Sequence, residues 1–231
     1  SQDTPIWGDE DEMAKKIEDV LTLLGQIGVG FIPVVGDAVD LYEFLGNIGC
    51  KTIITTGSCW EYGNAQGKIS EDSPIIPGNV LIAAKDALHN LGREVAKVEG
   101  RNFIWLRLFY VYGPSQKKKS LIPHLIDCLK TGKEPQIDNI NVAHDFVYVQ
   151  DVAEAIAAII DRCQTTGHHV FNIGYGKLIG VAEIANLVYG KKVLRAGAPK
   201  GFYADISRIK KLGWSPKVSI KEGIKFMGCC S

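Results

Sequence analysis

After Asp37 the sequence alternates between short apolar segments and longer segments with helical periodicity. Apolar residues that recur every three or four positions predict a helix, whereas short apolar runs predict strands. The predicted strands are Lys51–Thr56, Phe103–Phe109, Phe146–Val149 and His169–Ile173, and the predicted helices are Asp40–Asn47, Leu81–Val98, Asp151–Ile160 and Val181–Tyr189. Phe103–Phe109 is apolar almost throughout, as expected of a strand covered on both faces. The alternation predicts an α/β fold in which helices cover both faces of a mostly parallel sheet.

The first 37 residues differ in character from the rest of the chain. Met13–Leu24 has helical spacing behind the acidic run Asp9–Glu12, and acidic residues stabilise the first turn of a helix. Glycine and proline then punctuate the sequence, and Phe31–Val35 is a candidate edge strand. We therefore expect two parts, an amino-terminal helical and Gly/Pro segment at 1–37 and an α/β domain at 38–231.

Composition excludes several classes of protein. Lys+Arg and Asp+Glu both number 26, so the chain lacks the basic excess that binding to nucleic acid or to an anionic membrane requires. No apolar run reaches the roughly 18 residues of a membrane-spanning helix. The six cysteines form no CxxC pair, which predicts neither a zinc site nor a redox site. Scattered thiols and no secretion signal predict a cytoplasmic protein.

Four stretches carry a resemblance to a known family. They are Thr56–Gly63 with its Tyr-Gly pair, Lys85 on the long helix, Leu106–Pro114 ending in Tyr-Gly-Pro, and His144–Ala153 with its Asp-Phe and Asp-Val-Ala. In order and interval they are similar to the extended short-chain dehydrogenases, which include NAD(P)-dependent nucleotide-sugar epimerases, dehydratases and reductases. The resemblance covers about the carboxy-terminal three-fifths of the family domain. It implies a partial Rossmann-like, doubly wound sheet with a small carboxy-terminal substrate lobe.

The resemblance also implies a site. Ser58 matches the catalytic hydroxyl and Lys85 the catalytic lysine, while Thr56, Lys85 and Phe109 would border NAD or NADP. The residues implied for a nucleotide sugar are Tyr110, Pro123 and His144. In the family a tyrosine takes the sugar's hydroxyl proton while hydride passes to the nicotinamide. A phenol with a pKa near 10 can do so near neutrality only if neighbouring positive charge stabilises its anion.

Two substitutions within the site depart from the family pattern. Leu81 stands four residues before Lys85, where the family has its tyrosine, and its side chain cannot transfer a proton. Tyr62 is a conceivable substitute, but in the resembling proteins this tyrosine packs beneath the loop. His144 stands in place of an arginine that holds the nucleotide's phosphates, and a histidine cannot form the same charged bidentate contact. We therefore expect weak or absent catalysis.

The cofactor fingerprint departs from the family as well. The sequence contains no Gly-x-x-Gly-x-x-Gly turn between a strand and a helix, the arrangement that binds a pyrophosphate. Gly25, Gly28 and Gly30 give only Gly-x-x-Gly-x-Gly and follow a predicted helix.

The family's dehydratases also place Asp and Glu directly after the catalytic residue, where this chain has Cys59 and Trp60. Glu61 comes one position after the place of the dehydratases' Glu, so its side chain should point away from the site. An epimerase or 4-keto reductase is therefore favoured over a dehydratase.

Structural interpretations remain open beside the functional ones. Ser58 could be a turn residue and Lys85 a surface lysine. Asp151 is expected to cap the following helix, and His168 and His169 are expected to be structural.

Two other functions also remain. One is a non-catalytic scaffold or binding protein. The other is a bacterial toxin-associated fragment, because Gly30–Phe44 resembles a module that precedes toxin domains. We further expect a homo-oligomer or self-association through Phe31–Val35 or Thr52–Thr56.

Overall fold

The structure is a computed structural model that describes residues 50–163, 165–194 and 197–228. The predictions for Met13–Leu24, Phe31–Val35 and Asp40–Asn47 lie outside the described residues. The described strands are β1 (Thr52–Ser58), β2 (Gly67–Ile69), β3 (Asn102–Leu108), β4 (Tyr110–Tyr112), β5 (Ala143–His144), β6 (Phe146–Tyr148), β7 (His168–Ile173), β8 (Ile179–Gly180) and β9 (Phe202–Ala204). The described helices are α1 (Val80–Val98), α2 (Leu121–Thr131), α3 (Val149–Arg162), α4 (Val181–Tyr189), α5 (Ser207–Lys210) and α6 (Ile220–Phe226), with a short 3-10 helix at Cys59–Tyr62.

The central sheet is parallel, as the alternation predicts. Its described strands run in the order β1-β3-β7, with Thr52 opposite Asn102 and Phe103 opposite His168. The middle strand, β3, is buried at every position from Asn102 to Arg107. Strand β3 is therefore covered on both faces, as its apolar sequence predicts.

Helix α1 brings its lysine to the carboxyl end of β1. The helix begins at Val80, where the side chain of Asn79 accepts a hydrogen bond from the Ile82 amide at 3.0 Å. Asparagine is a preferred residue at this capping position. The helix packs against β1, β3 and the 3-10 helix, with Ile82 and His89 among its buried residues. This contact places the helix beside the turn that follows Ser58.

A smaller lobe follows the sheet in sequence. Helix α2 packs against α4, and α4 packs against α6, around a separate apolar core. Members of that core include Ile122, Leu125, Ile184, Val188 and Ile224. The expected small carboxy-terminal lobe is thus present, joined to the sheet region through the short parallel pair β4–β6. No helix among the described residues is long and apolar enough to cross a bilayer.

The prediction that Asp151 caps a helix is wrong. Helix α3 already begins at Val149, its cap is Tyr148, and Asp151 lies inside the first turn. The buried Asp151 carboxylate instead accepts hydrogen bonds from the amides of Lys217 and Val218, at 2.9 and 3.0 Å. Asp151 therefore fastens the segment before α6 to the body of the domain.

Candidate functional site

Ser58 ends β1 and starts the 3-10 helix. Its Oγ accepts a hydrogen bond from the Trp60 amide at 3.2 Å, and its own amide donates to Glu61 Oε1 at 2.8 Å. A side chain at the preceding residue, Gly57, would collide with Glu61 and Trp105, so the close approach of these two side chains requires glycine there. The hydroxyl is thus held at the end of a parallel strand, where α/β sheets commonly bind ligands.

A buried ion pair supports this turn from below. Arg107 Nε donates to Glu61 Oε2 at 2.7 Å, and Trp105 Nε1 lies 3.1 Å from both Glu61 carboxylate oxygens. The Glu61 side chain is fully buried. The carboxylate therefore points into the core and away from the cleft, as expected from its position in the sequence, although the segment is a 3-10 helix.

Tyr62 lies beneath the same turn. Its hydroxyl donates to Asn172 Oδ1 at 2.7 Å and accepts from Arg107 Nη1 at 3.0 Å. Burial raises the pKa of Tyr62 to about 12. A phenol in this position is a structural hydrogen-bonding group and does not replace the family's tyrosine as a base.

Ser58 and Lys85 line one cavity of about 490 Å³, together with Thr56 and Phe109. Lys85 Nζ donates to the Thr56 carbonyl at 3.4 Å, and burial lowers the pKa of this ammonium. Lys85 is therefore not a freely solvated surface lysine. The structure brings together the four residues that the resemblance assigns to catalysis and to the cofactor.

Leu81 lies one helical turn before Lys85, in the first turn of α1. Residues four apart share a face of a helix, so the two side chains project from the same side of α1. Leu81 is 43% exposed and is not among the described residues that line the cavity. That Leu81 takes the position of the family's tyrosine stays a prediction.

The substrate-binding residues implied by the resemblance are divided in space. Tyr110 and His144 stack, with ring centroids 3.8 Å apart and an angle of 20° between their planes. Burial lowers the pKa of His144 to about 4, so the imidazole is neutral at pH 7. Pro123 lies on α2 in the small lobe and belongs neither to this stack nor to the described lining of the cavity.

Asp145 fixes the backbone that carries His144. The buried Asp145 carboxylate accepts hydrogen bonds from the amides of Tyr175, Gly176 and Ala204, at 2.7, 2.9 and 3.0 Å. Burial raises the Asp145 pKa to about 6. The carboxylate joins three segments of backbone and leaves His144 as the side chain that faces Tyr110.

Sequence reasoning missed two groups at the site. Gln116 lines the cavity, and its Oε1 is buried without a hydrogen-bond partner among the described residues, while its Nε2 donates to the Val111 carbonyl at 3.2 Å. Trp60 is 47% exposed, and its ring lies beside Tyr110 and His144. Their proximity in sequence to Ser58 and to the Tyr-Gly-Pro segment is the signal that could have indicated them.

These residues fit the ribose and nicotinamide end of a dinucleotide. An ammonium has three N–H donors, so the bond from Lys85 to Thr56 leaves donors for ribose hydroxyls. The unpaired Gln116 Oε1 is a buried acceptor of the kind that an amide N–H would satisfy. Among the described residues, no group of three or more His, Cys, Asp or Glu side chains could bind a metal ion.

Comparison with known proteins gives a family and several relatives. The sequence model of the NAD dependent epimerase/dehydratase family matches residues 34–174, more than half of the chain. The CDP-abequose synthase of Salmonella muenchen is 30% identical over 136 residues, which cover 54% of this chain and 46% of that protein. The UDP-glucuronate 4-epimerase of Thermodesulfobacterium geofontis is 28% identical over 200 residues, 81% of this chain and 61% of that protein. The chain thus spans about half to three-fifths of these relatives.

Solved structures agree with this comparison. The UDP-glucuronic acid 4-epimerase from Bacillus cereus, in complex with NAD, superposes with a TM-score of 0.73 at 25% identity, over 83% of this chain and 66% of that one. The UDP-glucose 4-epimerase of Thermotoga maritima gives a TM-score of 0.74 at 22% identity, which supports the fold alone. The family match, together with the parallel sheet and the order of its sequence motifs, shows that this chain belongs to the NAD dependent epimerase/dehydratase family.

Proposed function

We propose that this chain binds a nucleotide sugar at the site of an NAD(P)-dependent epimerase or 4-keto reductase and is catalytically impaired. One observation carries the proposal. Ser58 and Lys85 line the same cavity, while Leu81 stands one helical turn before Lys85, where the reaction needs a base. The hydroxyl and the ammonium of the site are retained, and the group that moves the proton is replaced by a hydrocarbon.

The retained residues support binding and orientation. In the proposed complex the Ser58 hydroxyl donates to a sugar oxygen, and the Lys85 ammonium stabilises negative charge that develops there. Bound NAD or NADP would accept or supply hydride. Cys59 and Tyr62 do not supply the missing base, because burial raises the pKa of both to about 12 and keeps them protonated. The reaction would therefore stop for lack of a general base.

The comparisons support a nucleotide sugar as the ligand class. One relative is named a UDP-glucuronate 4-epimerase, and one similar structure, at 25% identity, is a complex with UDP-glucose and NAD. Another neighbour is a complex with NADPH, so both NAD and NADP remain within the proposal. A homo-oligomeric state and a cytoplasmic location are likewise proposals for this chain.

A binding or scaffold function is the second candidate, and Leu81 is the observation that favours it. A protein that holds a sugar nucleotide without converting it needs no phenol at that position. The toxin-associated alternative depends on Gly30–Phe44, which lies outside the described residues.

Calorimetry and a turnover assay test the proposal together. UDP-glucose should bind saturably, and Ser58→Ala should weaken binding by about 0.5–1.5 kcal/mol, the net value of one hydrogen bond. With NAD and NADP supplied, neither epimerisation nor reduction should exceed background. Turnover at the rate of ordinary enzymes, about 1 s⁻¹ or faster, would contradict the impairment. Absence of any sugar-nucleotide binding would contradict the ligand class.

A further inference from the structure

We propose that the acidic amino-terminal segment Asp9–Leu24 docks, within the same chain, into a lysine-lined cleft of the small lobe. The segment belongs to residues 1–49, which lie outside the described residues, whereas the cleft is described in full side-chain detail. Ser58, Lys85 and the other residues proposed to bind the cofactor and the sugar nucleotide are not part of the described lining of this cleft. The docking is therefore independent of the proposed function.

The cleft has a volume of about 800 Å³ and lies between α4, α6 and the segment that follows α4. Leu187 and Leu194 line it and are only half-buried, and they pack against the core of the small lobe beside the buried Ile224. The Asn186 side chain accepts hydrogen bonds from the amides of Val193 and Leu194, at 2.8 and 2.9 Å. These bonds fix one side of the cleft and leave apolar side chains facing into it.

Four exposed lysines line the same cleft. They are Lys191 and Lys192 after α4, and Lys221 and Lys225 on α6. None of the four forms an ion pair with a described residue. Glu183 is the acidic residue in the described lining, so positive charge prevails. This lysine cleft suits a partner that is apolar on one face and rich in carboxylates.

The charge of the chain is divided between its two parts. Residues 1–49 contain ten Asp and Glu residues and two Lys residues, which gives them a net charge of −8. Because the whole chain has a net charge of zero, residues 50–231 carry +8. Opposite charges attract one another over the surface of a protein. The amino-terminal part is therefore complementary in charge to the domain that carries the lysine cleft.

The segment Asp9–Leu24 has both properties that the lysine cleft requires. It contains six carboxylates and two lysines, so its net charge is −4. In the helix predicted for Met13–Leu24, Ile17, Leu21 and Leu24 recur at intervals of three or four and share one face. Docking of an amphipathic helix by its apolar face is a common mode of peptide recognition.

The connection between the segment and the domain is long enough for docking. Residues 25–33 separate the segment from the family match, which begins at residue 34. Nine extended residues span about 30 Å, whereas a domain of about 180 residues has a radius of gyration of about 16 Å. An attached segment also has a high effective concentration at its site, so modest contacts suffice to hold it there.

Carbodiimide cross-linking of the full chain, followed by peptide mass spectrometry, tests the docking. The reagent joins a carboxylate to a lysine amine only where the two groups are in contact. At about 1 μM, contacts within one chain should greatly outnumber contacts between chains. We expect cross-links from the carboxylates of Asp9–Leu24 to the lysines of the cleft. Lys210 and Lys211, which are exposed and lie outside the described lining of the cleft, should be cross-linked at least about fivefold less.

Two variants separate the apolar contact from attraction by charge alone. Ile17→Asp places a carboxylate on the apolar face of the predicted helix and retains every acidic residue and every lysine. Its cross-links to the cleft should decrease at least about tenfold, because a buried apolar side chain is lost. Thr22→Asp adds the same charge to the opposite face of that helix and should leave the yield within about twofold.

A mixture of isotope-labelled and unlabelled chains identifies which chain supplies the segment. Cross-links that join a labelled to an unlabelled peptide would show that the cleft takes the segment of a second copy, which overturns docking within one chain. Yields at Lys210 and Lys211 equal to those at the cleft, or equal losses in Ile17→Asp and Thr22→Asp, would reduce the contact to unspecific attraction and overturn it as well. A wild-type chain without cross-links to the cleft lysines overturns it outright.

Discussion

Leu81 is the residue on which the proposed loss of catalysis depends, and a single substitution examines its position. In Leu81→Tyr the new phenol would project from the same face of α1 as Lys85. An ammonium nearby stabilises the phenolate, so the phenol should titrate about one unit or more below its usual pKa of about 10. Ultraviolet difference spectroscopy of the variant against the parent chain measures this directly.

The double variant Leu81→Tyr/Lys85→Met is the control for that titration. Methionine keeps much of the length of the lysine stem and removes the charge, so the phenol pKa should return to about 10 or above. A phenol that titrates identically in both variants would show that Leu81 and Lys85 do not face the same site. The alignment of helix α1 with the family's Tyr-x-x-x-Lys helix would then be wrong.

The ion pair beneath Ser58 should contribute strongly to stability. Arg107 and Glu61 are almost fully buried, with side chains 3% and 0% exposed, and Arg107 also holds the Tyr62 hydroxyl and the Glu71 carbonyl. Removing one partner of a buried pair leaves an uncompensated charge and costs about 3–5 kcal/mol. Arg107→Met should lower the free energy of unfolding by that amount in urea titrations.

An exposed pair on α1 provides the comparison. Arg93 Nε lies 3.1 Å from Glu94 Oε1, with side chains that are 43% and 56% exposed. Arg93→Met should change the free energy of unfolding by less than about 1 kcal/mol, as is usual for surface pairs. Similar losses in the two variants would contradict the role assigned to burial at Glu61.

Sequence spacing predicts those site residues that a single sequence motif is enough to identify. Ser58 is located by its distance from the Tyr-Gly pair and Lys85 by its place on a long helix, and the structure places both in one cavity. The contact between Tyr110 and His144 joins residues on β4 and β5, and such pairs depend on how strands meet in space. For the same reason the exposure of Trp60 could not be derived from its neighbours in sequence.

At the scale of the elements, α1 and β7 are joined by a histidine pair that should make the fold sensitive to acid. His89 Nε2 lies 2.8 Å from His168 Nε2, and the His89 ring stacks on Trp105 with centroids 4.6 Å apart. Burial lowers the pKa of His89 to about 3, below the value of about 6.5 in the unfolded chain. The unfolded state therefore binds the extra proton between these two values.

The contribution of His89 to stability should consequently be complete above pH 6.5 and should fall as the pH decreases toward 3. His89 alone contributes at most about 1.4 kcal/mol per pH unit in that range. His89→Phe keeps a stacked ring and should flatten the dependence of the unfolding free energy on pH, measured by urea titration between pH 4 and 7. An unchanged slope in the variant would mean that His89 does not remain neutral in the folded state.

Helix α2 shows where sequence patterns are insufficient for whole elements. No helix was predicted at Leu121–Thr131, although four of its residues are buried against the small lobe. Pro123 is tolerated because it lies in the first turn, where amides have no partner within the helix. The short pairs β2–β9 and β5–β8 escaped prediction because each needs a partner far away in the sequence. The longer strands and helices were predicted because their periodicity is a local property.

At the scale of the whole molecule, the central sheet leads to a prediction about association. Among the described residues β1 pairs only with β3, so one edge of β1 has no described partner. Unpaired strand edges pair readily with other chains. Sedimentation at about 100 μM should therefore detect species larger than the monomer, with those Thr52–Thr56 amides that point away from β3 protected only in the associated form. A clean monomer with those amides protected would contradict this prediction.

Dinucleotide binding tests most directly the claim that this chain retains the sugar site of its family without a working reaction. The sequence has no Gly-x-x-Gly-x-x-Gly turn to supply backbone amides to a pyrophosphate. Binding of NAD, NADH, NADP or NADPH should therefore be weaker than about 1 mM, and about 1 mM of any of them should leave the melting temperature nearly unchanged. Saturable micromolar binding in calorimetry would contradict the account, because it would require a complete cofactor site.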